Sequence, residues 1–254
     1  MLLAVDIGNT SISFGIFKVK RLVKRFCLPT RGYRLRQIKR ALSGCCIDTA
    51  VISSVVPASA ISLEKELQKL LGFLPYIIGT DLKVPIKNSY RKPAQVGSDR
   101  LVNAYAGVEL YGAPLVVIDF GTAITFDVIS KGKAYLGGMI MPGAEISLEA
   151  LSEHTALLPK VRLKEPREFI GRDTKNSMLS GIFYGLASAA DSLSRRIKDK
   201  IGKKAKVVGT GGNISAFSRY CREMDYVDTD LTLKGINLAY RSFEDPAAHC
   251  RRIK

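Results

Sequence analysis

The sequence predicts an α/β protein made of two similar half-molecules that face a shared cleft. Three observations carry that prediction. Asp6-Ile7-Gly8-Asn9-Thr10 follows the apolar run Leu2–Val5, and Asp119-Phe120-Gly121-Thr122-Ala123 follows the equivalent run Leu115–Ile118. Each places a carboxylate at the end of a buried strand, then a glycine and a threonine in a tight turn that leads into a second strand. Strand-like runs alternate with amphipathic segments along the 254 residues, and the 22 glycines suit a turn-rich chain. A carboxylate beside a glycine turn, repeated once per half, points to a nucleotide in the cleft.

In the first half, Leu2–Val5 reads as a short buried strand. Ser11–Phe17 alternates in polarity, as a half-buried strand does, and the turn between them makes an antiparallel hairpin. Tyr33–Leu42 suits a helix. Ala50–Val56 is rich in β-branched residues and should be a strand that stops at Pro57. Ser62–Leu71 has helical periodicity, and Pro75–Ile78 is strand-like. Residues 81–97 read as a loop, and a helix begins near Asp99 with Leu101, Ala104, Tyr105 and Val108 on one face. Gly112-Ala113-Pro114 breaks it, so the domains are expected at 1–114 and 115–254. The second half then restarts the pattern. Leu115–Ile118, Ala123–Ile129 and Ala134–Ile140 form a strand meander, and Ala144–Leu157 a helix. A long amphipathic helix spans about Asn176–Ile201. Lys206–Val208 is a strand, and Gly209-Thr210-Gly211-Gly212-Asn213 is a turn opening another helix.

Composition narrows the class. No apolar run reaches membrane-spanning length, and the start meets Asp6 too early for a signal peptide, so a cytoplasmic protein is expected. Cys27, Cys45, Cys46, Cys221 and Cys250 are odd in number and lack Cys-x-x-Cys, which indicates neither a disulfide framework nor a zinc site. With only His154 and His249, a histidine triad is not expected. The formal net charge is +16, and ten Lys or Arg fall between Lys18 and Arg40 with no acid among them. A second basic cluster includes Arg195, Arg196, Lys198, Lys200, Lys203, Lys204 and Lys206. Such patches bind nucleic acid, draw in anionic substrates, or are simply solvated. Aromatic residues are not interleaved with them as a base-stacking surface would require.

Three motifs carry chemistry. In Asp6–Ser13 the glycine lets backbone N–H groups approach phosphate, Asn9, Thr10 and Ser11 add donors, and Asp6 could hold magnesium. An ordinary hairpin turn is the alternative. Asp119-x-Gly-Thr supplies the second half of a phosphate clamp, with Gly137-Gly138 and Gly209–Gly212 as further backbone surfaces. Neither a P-loop nor a Rossmann fingerprint is present. In Gly97-Ser98-Asp99-Arg100, Asp99 could act as general base on a substrate hydroxyl and Arg100 could pair with an anionic group. Equally, Asp99 could cap the helix while Arg100 is solvated.

These motifs resemble the type III pantothenate kinases, of the acetate kinase, sugar kinase and actin superfamily. The likeness rests on Asp6–Thr10, Val96–Ala104, Asp119–Thr125, Tyr135–Gly143, Gly171–Thr174, Ser180–Gly185 and Asp230–Gly235. It implies duplicated ribonuclease-H-like, actin-like ATPase domains with ATP between them. It implies transfer of the ATP γ-phosphate to the 4′-hydroxyl of pantothenate, the first step of coenzyme A synthesis. Carried over by motif, Asp99 is the proton acceptor, and Gly97, Ser98, Asp99 and Arg100 line the pantothenate pocket with Tyr90 and Thr174. Asp6, Ile7, Gly8, Asn9, Thr10, Ser11, Ile12, Ser13 and Thr122 match ATP contacts, and the Mg2+ that Asp6 could hold would accompany that ATP. Asp119 matches the ligand of a monovalent cation, K+ or NH4+. The resemblance also implies a homodimer. Ser98 departs from the usual alanine, and the basic Lys18–Arg40 stretch exceeds what the motifs demand. Two other readings remain: a regulatory or nucleic-acid-binding accessory factor on the same scaffold, and a related small-molecule kinase. The acidic motifs argue against nucleic acid as a partner.

Overall fold

A computed structural model describes residues 1–244, so His249 and Cys250 lie outside the described residues. The chain runs β1 (Leu2–Ile7), β2 (Ser11–Lys18), β3 (Arg21–Pro29), α1 (Leu35–Leu42), β4 (Thr49–Ser54), α2 (Pro57–Leu71), β5 (Tyr76–Ile77), β6 (Lys87–Asn88) and α3 (Ser98–Tyr111). It continues through β7 (Leu115–Phe120), β8 (Ala123–Ile129), β9 (Ala134–Pro142), α4 (Ala144–Glu153), α5 (Thr174–Ile201), β10 (Lys206–Thr210), α6 (Ile214–Phe217), β11 (Tyr226–Val227) and α7 (Leu231–Glu244).

Two units result. One comprises Met1–Glu109 together with α7, the other Leu110–Asp230. The sequence reading placed 231 onward in the second domain. Instead, α7 packs Leu233, Ile236, Ala239 and Tyr240 against Leu2, Ala4 and Phe17 of the first sheet. Asn237 Nδ2 and Arg241 Nε both donate to the Val19 carbonyl at the β2–β3 turn.

The internal repeat is explicit in the strand pairing. The first sheet has the order β3-β2-β1-β4-β5, with β1, β2 and β3 antiparallel in turn and β4 and β5 joined in parallel. In the second unit β9-β8-β7-β10-β11 repeats that order and those directions. Both units therefore have the ribonuclease-H-like plan, a three-strand meander extended by two parallel strands.

The first sheet is buried on both faces, which is why β1 reads as continuously apolar. Leu3, Val5, Ile7, Ile12, Phe14 and Ile16 meet Ile38 and Leu42 of α1 and Leu63 and Leu67 of α2. The opposite face meets Val102 and Tyr105 of α3, with α7. Helix α3 is accordingly buried nearly all round from Val102 to Val108, beyond the single stripe expected. A Cβ added at Gly235 would come within 2.6 Å of Val102 Cγ1, so the bare α7 backbone is what permits this packing. In the second unit Phe120, Ile124 and Phe126 pack with Phe183, Leu186 and Ala190 of α5 and Phe217 of α6.

Local differences from the sequence reading have physical causes. Helix α2 starts at Pro57, where the fixed φ of proline suits a first helical position, rather than at Ser62. Helix α4 ends at Glu153, because the Thr155 hydroxyl takes the Leu151 carbonyl at 2.7 Å. Strand β3, inside the basic stretch, was not expected. It is the edge strand, with Phe26 stacked on Phe14 at 4.5 Å between centroids.

Candidate active site

Each unit builds an acid-bearing turn in the same way. Asp6 is the penultimate residue of β1, half-buried, and pairs in register with Ser13 on β2 and Ser53 on β4. Asp119 is the penultimate residue of β7, half-buried, and pairs with Thr125 on β8 and Thr210 on β10. In both units a carboxylate on the central strand has a hydroxyl residue on either side. Open α/β sheets bind ligands at such strand ends.

The first turn is closed by the Gly8 N–H donating to the Ser11 carbonyl at 3.0 Å. Thr30 braces it, its hydroxyl on the Gly8 carbonyl at 2.7 Å and its N–H on the Thr10 carbonyl at 3.0 Å. Asn9, Thr10 and Ser11 are exposed at the tip. Ile7 and Ile12, which the sequence reading included among the nucleotide contacts, have their side chains fully in the core. Only their backbone groups remain for a ligand.

The second turn is closed by the Gly121 N–H donating to the Ala123 carbonyl at 3.1 Å. Gly143 approaches closely enough to donate to the Thr122 carbonyl at 3.1 Å, where a side chain would strike the Gly121 and Thr122 oxygens. Gly211, at φ +99°, lies against Asp119, and a Cβ there would collide with Asp119 Oδ1. The Gly209–Gly212 motif thus serves Asp119 directly, by letting a second stretch of backbone close on the carboxylate. Thr122 is half-buried beside it. Thr174 is the exposed first residue of α5, whose N-cap Asp173 accepts from the Asn176 N–H at 2.8 Å.

Gly97–Arg100 opens α3 within the first unit. The Ser98 hydroxyl donates to the Ser54 carbonyl at 3.2 Å and lies 3.1 Å from Ser53 Oγ. This brings the Asp99 segment to the strand end that carries Asp6. Asp99 Oδ1 accepts the Arg100 N–H at 2.8 Å, so the carboxylate does satisfy a helix-terminal donor. Burial nevertheless holds its carboxyl above the ordinary aspartate range, against the lowering effect of the Arg100 backbone and charge. Arg100 is itself buried at 9% exposure, not solvated. Tyr90 is half-buried on the preceding loop, its N–H bonded to Asn88 Oδ1 at 3.0 Å.

Sequence reasoning missed Ser53 and Thr30, and it gave Thr125 and Thr210 no role of their own although both stand in motifs it singled out. Ser53 and Thr210 are hydroxyls at the ends of buried strands, the one local sign that could have marked them. Among the described residues no group of three or more His, Cys, Asp or Glu could hold a metal. Asp6 and Asp119 each lie beside hydroxyl residues and glycine backbone. That donor set fits a cation that shares its coordination with phosphate oxygens and water.

A profile of the family described as type III pantothenate kinase matches residues 2–196. A type III pantothenate kinase of Halalkalibacterium halodurans is 39% identical over 251 residues, covering 95% of this chain and 99% of the relative. Among solved structures, a protein described as a Baf family transcriptional activator from Campylobacter jejuni aligns with TM-score 0.61 and 21% identity, over 95% of this chain and 98% of that one. Component A of the Acidaminococcus fermentans (R)-2-hydroxyglutaryl-CoA dehydratase aligns with TM-score 0.58 and 13% identity, over 96% and 99%. These two likenesses concern the fold.

Proposed function

We propose, for a chain that belongs to the type III pantothenate kinase family and so phosphorylates pantothenate with ATP on the way to coenzyme A, that Asp99 is the general base of the transfer. The observation that carries this is its setting: a carboxyl raised by burial, at the start of α3, next to Ser98, whose hydroxyl is bonded to the end of β4 beside the strand that bears Asp6. Asp99 takes the proton from the 4′-hydroxyl. The hydroxyl oxygen bonds to the γ-phosphorus, the bond from that phosphorus to the β–γ bridging oxygen breaks, and ADP leaves. Such a transfer asks the protein mainly for alignment and charge neutralisation.

The turn at Asp6–Ser13 supplies backbone and hydroxyl donors for the phosphates, and the Thr122 hydroxyl is a further donor to ATP. Gly97, Ser98, Arg100, Tyr90 and Thr174 recognise pantothenate, with Arg100 the group suited to its carboxylate. Asp6 would hold Mg2+ and Asp119 a monovalent cation, K+ or NH4+. When bound, these ions neutralise charge on the phosphates. No helix among the described residues is long and apolar enough to cross a membrane. A cytoplasmic homodimer is the working form we propose. The exposed Leu136, Met139 and Ile140 of β9, with Phe169 and Ile170, support a protein partner for the second unit.

The test is ADP release from Mg–ATP with and without pantothenate, in K+, NH4+ or Na+ buffers. Turnover should require pantothenate and rise with K+ or NH4+, and Asp119→Asn should abolish that cation response. A response undiminished in Asp119→Asn would remove Asp119 from the cation site.

A further inference from the structure

Ser53 is fully buried at the end of β4, in register with Asp6 on the neighbouring strand. Its hydroxyl lies 3.1 Å from Ser98 Oγ. Ser98 Oγ also reaches the Ser54 carbonyl at 3.2 Å, so its hydroxyl sits between two β4 acceptors and the Ser53 hydroxyl is free to donate to it. Ser53, Ser98 and the Ser54 carbonyl thus form one hydrogen-bonded relay. It fastens the first residue of α3 to the strand beside Asp6.

The next residues leave little slack. A Cβ at Gly97 would come within 2.5 Å of Asp99 Oδ1 and 3.4 Å of Val55 Cγ1, so the carboxylate is folded tightly onto its own loop. A displacement of the α3 start therefore displaces Asp99. The same register position in the second unit is held by Thr210, also buried, beside Asp119. A hydroxyl on the fourth strand next to the acid is thus a feature of both halves.

We propose that Ser53, acting through Ser98, is a positioning residue that fixes Asp99 relative to Asp6. This rests on Asp99 being the base. A misplacement of the reacting groups by about 1 Å can cost on the order of a hundredfold in rate, so loosening one tether should be visible in kcat.

The experiment measures kcat, both KM values and the pH profile of kcat for Ser53→Ala, Ser98→Ala, the double variant, Ser53→Thr and Asp99→Asn, with circular dichroism as the control for folding. Ser53→Ala should lower kcat roughly 3- to 30-fold, a fraction of that full misplacement cost, with KM for ATP within about twofold. Its acid limb should move down, because a loosened α3 start hydrates Asp99 and relieves the burial that raises it. The double variant should be no worse than the weaker single, since both break one relay. Threonine, the residue at the matching position of the second unit, should restore activity. If Ser53→Ala does not fold, Ser98→Ala breaks the same link at a half-buried position. Turnover lost in Asp99→Asn but unchanged in Ser53→Ala and Ser98→Ala, with an unmoved acid limb, would overturn the positioning role alone. Turnover surviving in Asp99→Asn would overturn the base assignment and this proposal with it.

Discussion

Asp99 shows how a single side chain is drawn in two directions. Its Oδ1 holds the Arg100 N–H, as a helix-start residue does, while burial makes its charged form costly. A carboxyl whose folded pKa is raised contributes stability below its unfolded value, near ~3.9, and loses it as pH rises through the folded value. At neutral pH the ionised group is therefore a net cost to the fold. Asp99→Asn keeps the acceptor oxygen and removes the charge. It should lower kcat at least about a hundredfold, since general-base catalysis typically contributes that much. Its melting temperature at pH 7 should equal or exceed that of the parent. A variant that melts clearly earlier would show the charge to be stabilising and the burial argument to be wrong. For the parent, kcat should rise with pH along an acid limb lying above the ordinary aspartate range, because only the deprotonated carboxylate accepts the proton.

The elements explain part of the basic charge. Strand β3 carries Arg21, Lys24 and Arg25 at the edge of its sheet, with the Lys24 ammonium on the Ala41 carbonyl at 2.6 Å. An uncovered edge offers unpaired backbone groups to another chain, and long cationic side chains are a standard protection. Arg21→Thr with Arg25→Val should leave kcat nearly unchanged and promote concentration-dependent light scattering. Unaltered solubility at high concentration would show that the charges serve some other purpose. This strand also marks where the sequence ceased to be readable. Leu22, Phe26 and Leu28 face inward, but the bulge at Ile16/Phe17 shifts the pairing, and the interleaved Arg and Lys mask the alternation. The strands bearing Asp6 and Asp119 were legible because an apolar run ends in Asp-x-Gly, a local pattern. Ser53 was not, because its relation to Asp6 is a register across 47 residues of chain, visible only once β1 and β4 are paired.

At the scale of the whole molecule, one contiguous unit interrupts another. The first unit takes its last helix from beyond the second, and α7 contributes Leu231, Leu233, Ile236, Ala239 and Tyr240 to burial there. Each large apolar side chain buried contributes about 1.5–3 kcal/mol, and a whole domain is stable by only about 5–15 kcal/mol. A chain ending at Asp230 should therefore lose the first unit, seen as loss of its cooperative unfolding transition, while a Leu110–Asp230 fragment retains protected amides in hydrogen exchange. Protection of β1 and β4 in the truncated chain would show α7 to be dispensable. The sequence reading set its boundary at 114/115, whereas the contacts divide the chain between Glu109 and Leu110, within the last turn of α3. That reading did not anticipate the return of α7, because an amphipathic helix does not announce which core it will join.

That return has a consequence for synthesis. As the nascent chain leaves the ribosome, residues up to Glu109 emerge before α7 and must wait with one sheet face covered only by α3 until α7 is made. The inserted segment is complete earlier and is free to settle before its elder neighbour, so maturation runs from the middle of the polypeptide outward.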